Sequence, residues 1–567
     1  MTLFRPVLSP GLRAGSHAGS YAGLLAALLA CAAALAPPAA AQTLPDLPDA
    51  AVAHDGIVLL TPDNTRQVGP PARRLAHVVF PARSVPVLGG DPPDPAYAML
   101  RRMVAAGQAA GNSGDLYENR DHSHSPLSHE AFPQLTHVRY DARLRAQGFD
   151  YGLPLEMLFD APVIGNASLA QTGGPLWRSL PRLALTMKDG AGAHLLFQNY
   201  ASGQIHVFPE HRDHDPEYGD LLPANTPYML ISQGSSGSDR PHLRALAMIL
   251  AAFRPDTKAV LRETGLIAPT VQMVYRRARV GVRSRAAYLS GGAHPSVFRD
   301  SDIALARMVG LANSILPGEV PPLVRLAVLE ETASREGVDH FGAPSGEVLF
   351  DTPSAIARVW RSRRGRRVMV VTAAGTRDPN GRALRFDWVV LRGDPERVTV
   401  QPLMPDGRAA RIVIDWQEPR PTPGAPDIVS DRVDIGVFAN NGIHDSAPAF
   451  ISVLLPRHER RIYEPGPDGT PRIASLDRAP RPGVYADPRL FPETPWRDVY
   501  RYDADGRLEG WVRHRADGTT EYDADGNRIL SRDARGVALE TLAVRYLPEP
   551  VGGGAVRLRE EAVPPAQ

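Results

Sequence analysis

The chain has 567 residues, 43% hydrophobic and 22% charged, with 63 Lys plus Arg against 62 Asp plus Glu and a formal net charge of +1. That length holds several domains with cores of their own, and the near-neutral balance argues against a nucleic-acid-binding protein or an acidic tail. Only Lys188 and Lys258 are lysines, so arginine carries the positive charge and acids balance it throughout; even with 50 glycines and 55 prolines the composition is globular.

At the N-terminus Arg5 and Arg13 precede an apolar run over residues 21–35, and Ala39-Ala40-Ala41 stands before Gln42. This pattern predicts a secretory signal peptide over residues 1–41. Leu28-Leu29-Ala30-Cys31 resembles a bacterial lipobox and gives the alternative, a lipoprotein anchored through Cys31. Cleavage near Ala41 is the preferred reading, because the Ala/Pro spacer after Cys31 would otherwise have no role. No later stretch reaches the roughly 18 apolar residues of a transmembrane helix, so the expected mature protein is secreted or periplasmic. Cys31 is the only cysteine, which leaves no disulfide, and any metal falls to His, Asp or Glu.

Residues 42–70 are rich in Pro and Asp and read as a linker. Residues 71–330 read as an α+β domain with an antiparallel β meander. Apolar residues at helical spacing predict a helix over 94–110. Short β-type runs follow at 183–187, 194–200 and 204–208, with Asp189-Gly190 between the first two as a hairpin signal. A buried strand at 228–232 leads through Gly234-Ser235-Ser236-Gly237-Ser238 into a helix over 239–253, and helical patterns continue at 257–279 and 301–315.

From residue 366 the texture becomes all-β, with runs at 368–372, 383–391, 398–402, 410–416, 433–438 and 448–455. The stretch Ala373-Ala374-Gly375-Thr376-Arg377-Asp378-Pro379-Asn380-Gly381, then Leu384-Arg385-Phe386-Asp387-Trp388, and later Asn440-Asn441-Gly442 with Ser446-Ala447-Pro448, resembles the polycystic-kidney-disease (PKD) type of Ig-like module. Thr376, Asn380 and Asn441 depart from the Ser, Asp and Asp of that pattern. The resemblance covers residues 345–457 and implies an Ig-like β-sandwich serving as a spacer or ligand-presenting domain of an exported protein, with no catalytic residue. Trp388 is expected in its core.

Tyr502-Asp503-Ala504-Asp505-Gly506-Arg507 recurs as Tyr522-Asp523-Ala524-Asp525-Gly526-Asn527. The repeat predicts a β-hairpin tail over residues 495–546. It resembles the YD repeats of RHS-type secreted proteins, in far fewer copies.

Two histidine-rich knots carry the clearest chemical signal: Arg120-Asp121-His122-Ser123-His124 with His129-Glu130, and His211-Arg212-Asp213-His214-Asp215. If they converge, His122, His124, His211 and His214 are candidate ligands for a divalent metal such as zinc. Asp121 and Asp213 are then the candidate orienters or general bases, and Arg120 and Arg212 the donors to an anionic substrate. Solvated turns explain the same composition without a metal, and neither knot has a standard metal-ligand spacing. Ser236 sits where a strand–turn–helix nucleophile belongs, although helix capping explains the same residues. These features favour an exported hydrolase. A non-catalytic envelope or extracellular protein, binding a polymer or a protein partner through its Ig-like module, is the alternative.

Overall fold

Six short, mostly apolar segments of the N-terminal half pair side by side in parallel: β1 (Ile57–Leu60), β2 (Leu116–Asn119), β3 (Thr136–Tyr140), β4 (Val163–Asn166), β5 (Gln204–Pro209) and β6 (Met229–Ser232). Their order across the sheet is β6-β5-β4-β2-β3-β1. Every residue of β4, β5 and β6 is buried, as expected for parallel strands covered on both faces. Successive residues serve opposite cores. Tyr117 and Ile164 join one apolar cluster, and Leu116 and Val163 join another.

This computed structural model describes residues 50–563, except 71, 84, 91, 154, 173–176, 343–345, 479–484, 486 and 552–554. The signal-peptide and lipobox readings, with Cys31, lie outside the described residues. The helices of this half are α1 (Pro95–Ala105), α2 (Ala142–Gln147), α3 (Leu180–Leu185), α4 (Ala191–Ala201), α5 (Arg240–Ala252), α6 (Pro255–Glu263), α7 (Ile267–Arg277) and α8 (Leu305–Ser314). Helix α5 buries ten of its thirteen residues, which makes it the central helix of the larger core.

Two sequence expectations fail here. The antiparallel meander is absent: 183–187 and 194–200 fall largely in α3 and α4, and Asp189-Gly190 turns one helix into the next with φ of +55° and +68°. Short apolar runs cannot by themselves distinguish a buried helix from a strand. Residues 50–70 are no linker either, since β1 lies at the edge of the parallel sheet and pairs with β3.

The all-β part begins earlier than residue 345. Strands β7 (Ala327–Glu331), β8 (Val348–Thr352), β9 (Ala355–Val359), β10 (Arg366–Thr372), β11 (Arg385–Arg392), β12 (Val398–Pro402), β13 (Ala409–Asp415), β14 (Arg432–Asn440) and β15 (Ala449–Leu454) form two sheets. Their orders are β7-β10-β13-β12 and β8-β9-β15-β14-β11. Val371, Ile412, Ile414, Val433, Ile435 and Ile451 fill the space between them, so the pair is a β-sandwich. Trp388 is half-buried against this core and donates Nε1–H to the Gly407 carbonyl at 2.7 Å. The sandwich core holds a fully buried tryptophan in Trp360, 1% exposed.

The tail also starts earlier, with β16 (Arg460–Pro465) and β17 (Pro471–Asp477) preceding β18 (Arg497–Tyr502), β19 (Leu508–Arg515), β20 (Gly518–Asp523), β21 (Arg528–Arg532) and β22 (Ala538–Leu542) in one antiparallel meander. Asp503, Asp523 and Asp533 each accept a hydrogen bond on Oδ1 from the backbone N–H four residues on. The repeat therefore has a third turn, at Asp533-Ala534-Arg535-Gly536. The molecule as a whole is β-rich, most of its sheets are antiparallel, and the described residues form one unit.

Candidate functional site

The order of the parallel strands determines where a site can form. From β2 the chain moves to β3 on one side, whereas from β4 it moves to β5 on the other. The segments leaving β2 and β4 therefore diverge and open a crevice beyond their carboxyl ends, the place where open parallel sheets hold ligands. Asn119 and Asn166 are register partners at that edge, and they organise it.

Asn166 is fully buried. Its Oδ1 accepts from Tyr117 OH at 2.8 Å and from Asn119 Nδ2 at 3.3 Å, while its Nδ2 donates to the Ser125 carbonyl at 3.1 Å and to Asp239. Asn119 holds the loop after β2. Its Nδ2 donates to the His124 carbonyl at 2.8 Å, and its Oδ1 accepts from the N–H groups of Asp121 and Ser123. Held so tightly, the loop takes up a costly backbone, with φ of +56° at His122, +67° at Ser123 and +52° at Ser125; His211, after β5, is at +59°. Among the described residues, four of the six non-glycine residues with positive φ thus surround one crevice. Such strain persists where the surroundings over-determine it, and it clusters at functional sites.

On this frame four side chains meet. Ser168 Oγ lies 2.6 Å from Ser236 Oγ, and Ser236 Oγ lies 3.4 Å from His124 Nδ1. Asp121 Oδ2 lies 3.7 Å from the same His124 nitrogen and accepts the Ser168 backbone N–H at 2.9 Å. Ser236 and His124 are exposed, whereas Asp121 and Ser168 are buried beneath them. Burial pushes the Asp121 carboxyl above its usual pKa, against the Ser168 N–H and His124, which pull it down.

The turn that presents Ser236 depends on Gly234, at φ +113°. Its N–H donates to Glu210 Oε1 at 3.1 Å and its carbonyl accepts the His211 N–H at 3.2 Å, which ties the β5 and β6 loops together. Among the described residues the N–H groups of Ser235 and Ser236 have no acceptor. They precede the amino end of α5, where donors and the helix dipole favour negative charge. Asp239 occupies the cap position of α5 but makes no side-chain capping bond; its carboxylate binds Asn166 instead.

The structure gives the other sequence candidates different places. His122 turns away from His124, stacking on Tyr151 with 4.5 Å between ring centroids and meeting Asp150 at 3.0 Å. His211 is half-buried; burial lowers its pKa and favours neutral imidazole, and its Nδ1 faces the Pro209 carbonyl at 3.3 Å. His214 is 2% exposed with neither ring nitrogen hydrogen-bonded, and burial lowers its pKa to about 4. The four histidines therefore do not form one ligand set. Among the described residues no group of three or more His, Cys, Asp or Glu is placed to hold a metal ion.

Asp213 is not at the crevice surface. It is fully buried, pairs with Arg182 at 2.8 Å and accepts the Ser179 N–H at 2.8 Å; burial raises its pKa to about 6 despite Arg182. Arg120 is 1% exposed, donating to the Leu155 carbonyl and lying 3.6 Å from Glu118, so it reaches no substrate. Arg212 is exposed and lies over the Trp177 ring at 5.5 Å. Sequence reasoning missed Asn119, Asn166, Ser168 and Asp239. The available signal was Gly165-Asn166-Ala167-Ser168, small residues alternating with polar ones directly after the apolar Val163-Ile164.

Across the strained loop lies a cleft of about 490 Å3, lined among others by Asn119, His122, Ser123, Arg139, Arg145 and Asp150. Arg139 and Arg145 are exposed, and their guanidinium groups make no hydrogen bond or ion pair among the described residues.

No family model matches the chain, and no curated protein does. Among solved structures, the tandem Ig repeats of Dlar are 13% identical over 35% of this chain and 94% of theirs, with a TM-score of 0.11. The N-terminal Ig1-2 module of the Drosophila receptor protein tyrosine phosphatase DLAR gives the same identity and coverage with a TM-score of 0.12. A nucleoside hydrolase-related hypothetical protein from Saccharophagus degradans, associated with carbohydrate metabolism, is 10% identical over 52% of this chain and 71% of its own, with a TM-score of 0.16. Two of the three are Ig-repeat structures, loosely in keeping with an Ig-like module, but likeness at this level carries no argument about this chain. Among the described residues no helix is long and apolar enough to cross a membrane.

Proposed function

We propose that the protein is an exported hydrolase with a serine nucleophile, acting on an ester or related acyl group at the carboxyl edge of the parallel sheet. The observation that carries this reading is the chain Ser168–Ser236–His124 with Asp121 beside it, at the divergence of β2 and β4. Ser236 Oγ attacks the acyl carbon as its proton passes to His124 Nδ1, and Ser168 donates to the attacking oxygen. The Ser235 and Ser236 N–H groups are the donors available to the oxyanion. The leaving group departs with the proton from His124, and water repeats the sequence to free Ser236.

The arrangement differs from a Ser-His-Asp triad, because Ser236 and Asp121 approach the same imidazole nitrogen. Asp121 therefore acts by its charge on the imidazolium and not by orienting the opposite nitrogen. Arg139 and Arg145 suit a substrate with an anionic group in the neighbouring cleft.

A fluorophosphonate probe and a panel of aryl esters with neutral and carboxylated acyl groups test the proposal. The expected result is labelling at Ser236, and a fall in kcat of about 10³-fold or more in Ser236→Ala. Neither labelling nor turnover anywhere in the panel would overturn it.

In the same reading the sandwich is a PKD-type Ig-like spacer and the tail a short YD-like array. Supporting the first, Asp378 of the Asp-Pro-Asn-Gly turn accepts from the N–H groups of Asn380 and Arg382 and from Asn441 Nδ2. The two turns singled out in the sequence therefore lock each other. The N-terminal pattern of residues 1–41 supports export to the periplasm or beyond.

A further inference from the structure

Where the sandwich meets the tail, the end of β13 and the start of β16 enclose two adjoining clefts of about 480 and 530 Å3, which share Trp416, Gln417, Glu418, Arg461 and Tyr463 among their walls. The Trp416 ring is fixed in place. It stands edge-to-face on Trp360 at 5.7 Å, faces Tyr463 at 6.0 Å and carries the Arg461 guanidinium 4.2 Å from its centre. Arg461 is itself held by Glu459 at 2.6 Å. Both Trp416 and Tyr463 remain half-buried, so the clefts offer a rigid aromatic platform and not a closed core.

The walls carry acids as well as arginines, but Asp394, Asp431, Glu459 and Glu464 are paired with Arg420, Arg457, Arg461 and Arg472. Gln417 is 8% exposed, and its Nε2 and the Trp416 Nε1 have no acceptor, although Gln417 Oε1 accepts the Asp394 N–H at 2.6 Å. On the rim, Arg397 and Arg460 are exposed and their side chains make no hydrogen bond or ion pair among the described residues, which leaves them and Glu418 as the unpaired charges. Glu418, also exposed, is placed to accept from hydroxyl groups.

We infer that this junction is a binding site for an acidic oligosaccharide. Sugar rings stack on Trp416 and Tyr463, and their carboxylates face Arg397 and Arg460. The inference does not rest on the hydrolase reading, because none of these residues belongs to the Ser236 site.

Calorimetric titration of the full chain with hexagalacturonate tests it, with cellohexaose and polyglutamate as comparators. Hexagalacturonate is expected to bind at least about tenfold more tightly than cellohexaose, a difference of about 1.4 kcal/mol. The double variant Arg397→Ala/Arg460→Ala should lose a similar factor, and Ser236→Ala should bind like the parent. Trp416→Ala should abolish binding; if that variant fails to fold, the exposed arginine pair decides alone. No binding of hexagalacturonate, equal binding of cellohexaose, or indifference to the arginine pair overturns the site. Tighter binding of polyglutamate than of either sugar replaces the glycan with an acidic peptide.

Discussion

Glu210 shows how one side chain sets the shape of the crevice. It is 3% exposed, and its two oxygens accept the N–H groups of Gly234 and His214. Burial outweighs those hydrogen bonds and raises its pKa from 4.5 to about 7. The folded state therefore binds this proton more tightly than the unfolded chain does. The stabilisation is complete below about pH 4.5 and is lost as pH rises through about 7. Glu210→Gln is uncharged at every pH but keeps one acceptor for two N–H groups, so in urea unfolding at pH 4 it should be less stable than the parent by about 1–3 kcal/mol. Between pH 4 and pH 8 the balance should move in favour of the variant by on the order of 3 kcal/mol, since each pKa unit is worth about 1.4 kcal/mol. Parallel stability curves for the two proteins across this range would show that Glu210 does not titrate with folding.

At the scale of the element, the loop from β2 to Leu127 spends conformational energy to aim His124. Ser123 is at φ +67° and contributes its N–H, but no side-chain hydrogen bond, to the loop. Glycine relieves the left-handed cost of roughly 1–2 kcal/mol while adding unfolded-state entropy. Ser123→Gly is therefore expected to raise stability by about 0.5–1 kcal/mol. It should also lower kcat toward an ester substrate, because the loop then holds His124 less firmly. A gain in stability with kcat unchanged would mean that the strained backbone has no part in positioning His124.

The sequence reveals such elements unevenly. The strand, glycine turn and helix around Ser236 were readable, because punctuation by Gly234 and Gly237 is local. Helices α3 and α4 were not, because five-to-seven-residue apolar runs fit either period. Asn166 and Ser168 were invisible for a different reason: their role comes from register pairing with Asn119 and from a serine 68 residues away. Asp213 misled for the converse reason, since only its distant partner Arg182 reveals that the carboxylate is buried.

For the whole molecule, buried charge joins the parallel-sheet half to the sandwich. Asp220, on the segment between β5 and β6, is 1% exposed; it pairs with Arg392 of β11 and meets Arg432 of β14 at 3.1 Å. Burial pushes its carboxyl up, but Arg432 and Arg392 overcome that push and hold the pKa below its usual value. Asp434 lies 2.8 Å from Arg432 and 3.5 Å from Arg392, so the network has two acids for two guanidinium groups. A second link binds the tail: Asp487 pairs with Arg178 at 2.7 Å, and Arg182 lies 3.6 Å from it. Unfolding either half alone breaks these shared pairs and leaves the charges of the other half without the partners that offset their desolvation. The parent should therefore unfold in one calorimetric transition at neutral pH. Asp220→Asn removes one acid and leaves Arg392 and Arg432 competing for Asp434, at an expected cost of about 3–5 kcal/mol. Asp220's own contribution is present above the unfolded carboxylate pKa and disappears as pH falls through the lower folded value, so the parent and the variant should converge in acid. Two resolved transitions in the parent, or an Asp220→Asn protein as stable as the parent at pH 7, would show that the halves are coupled by apolar packing and not by this network.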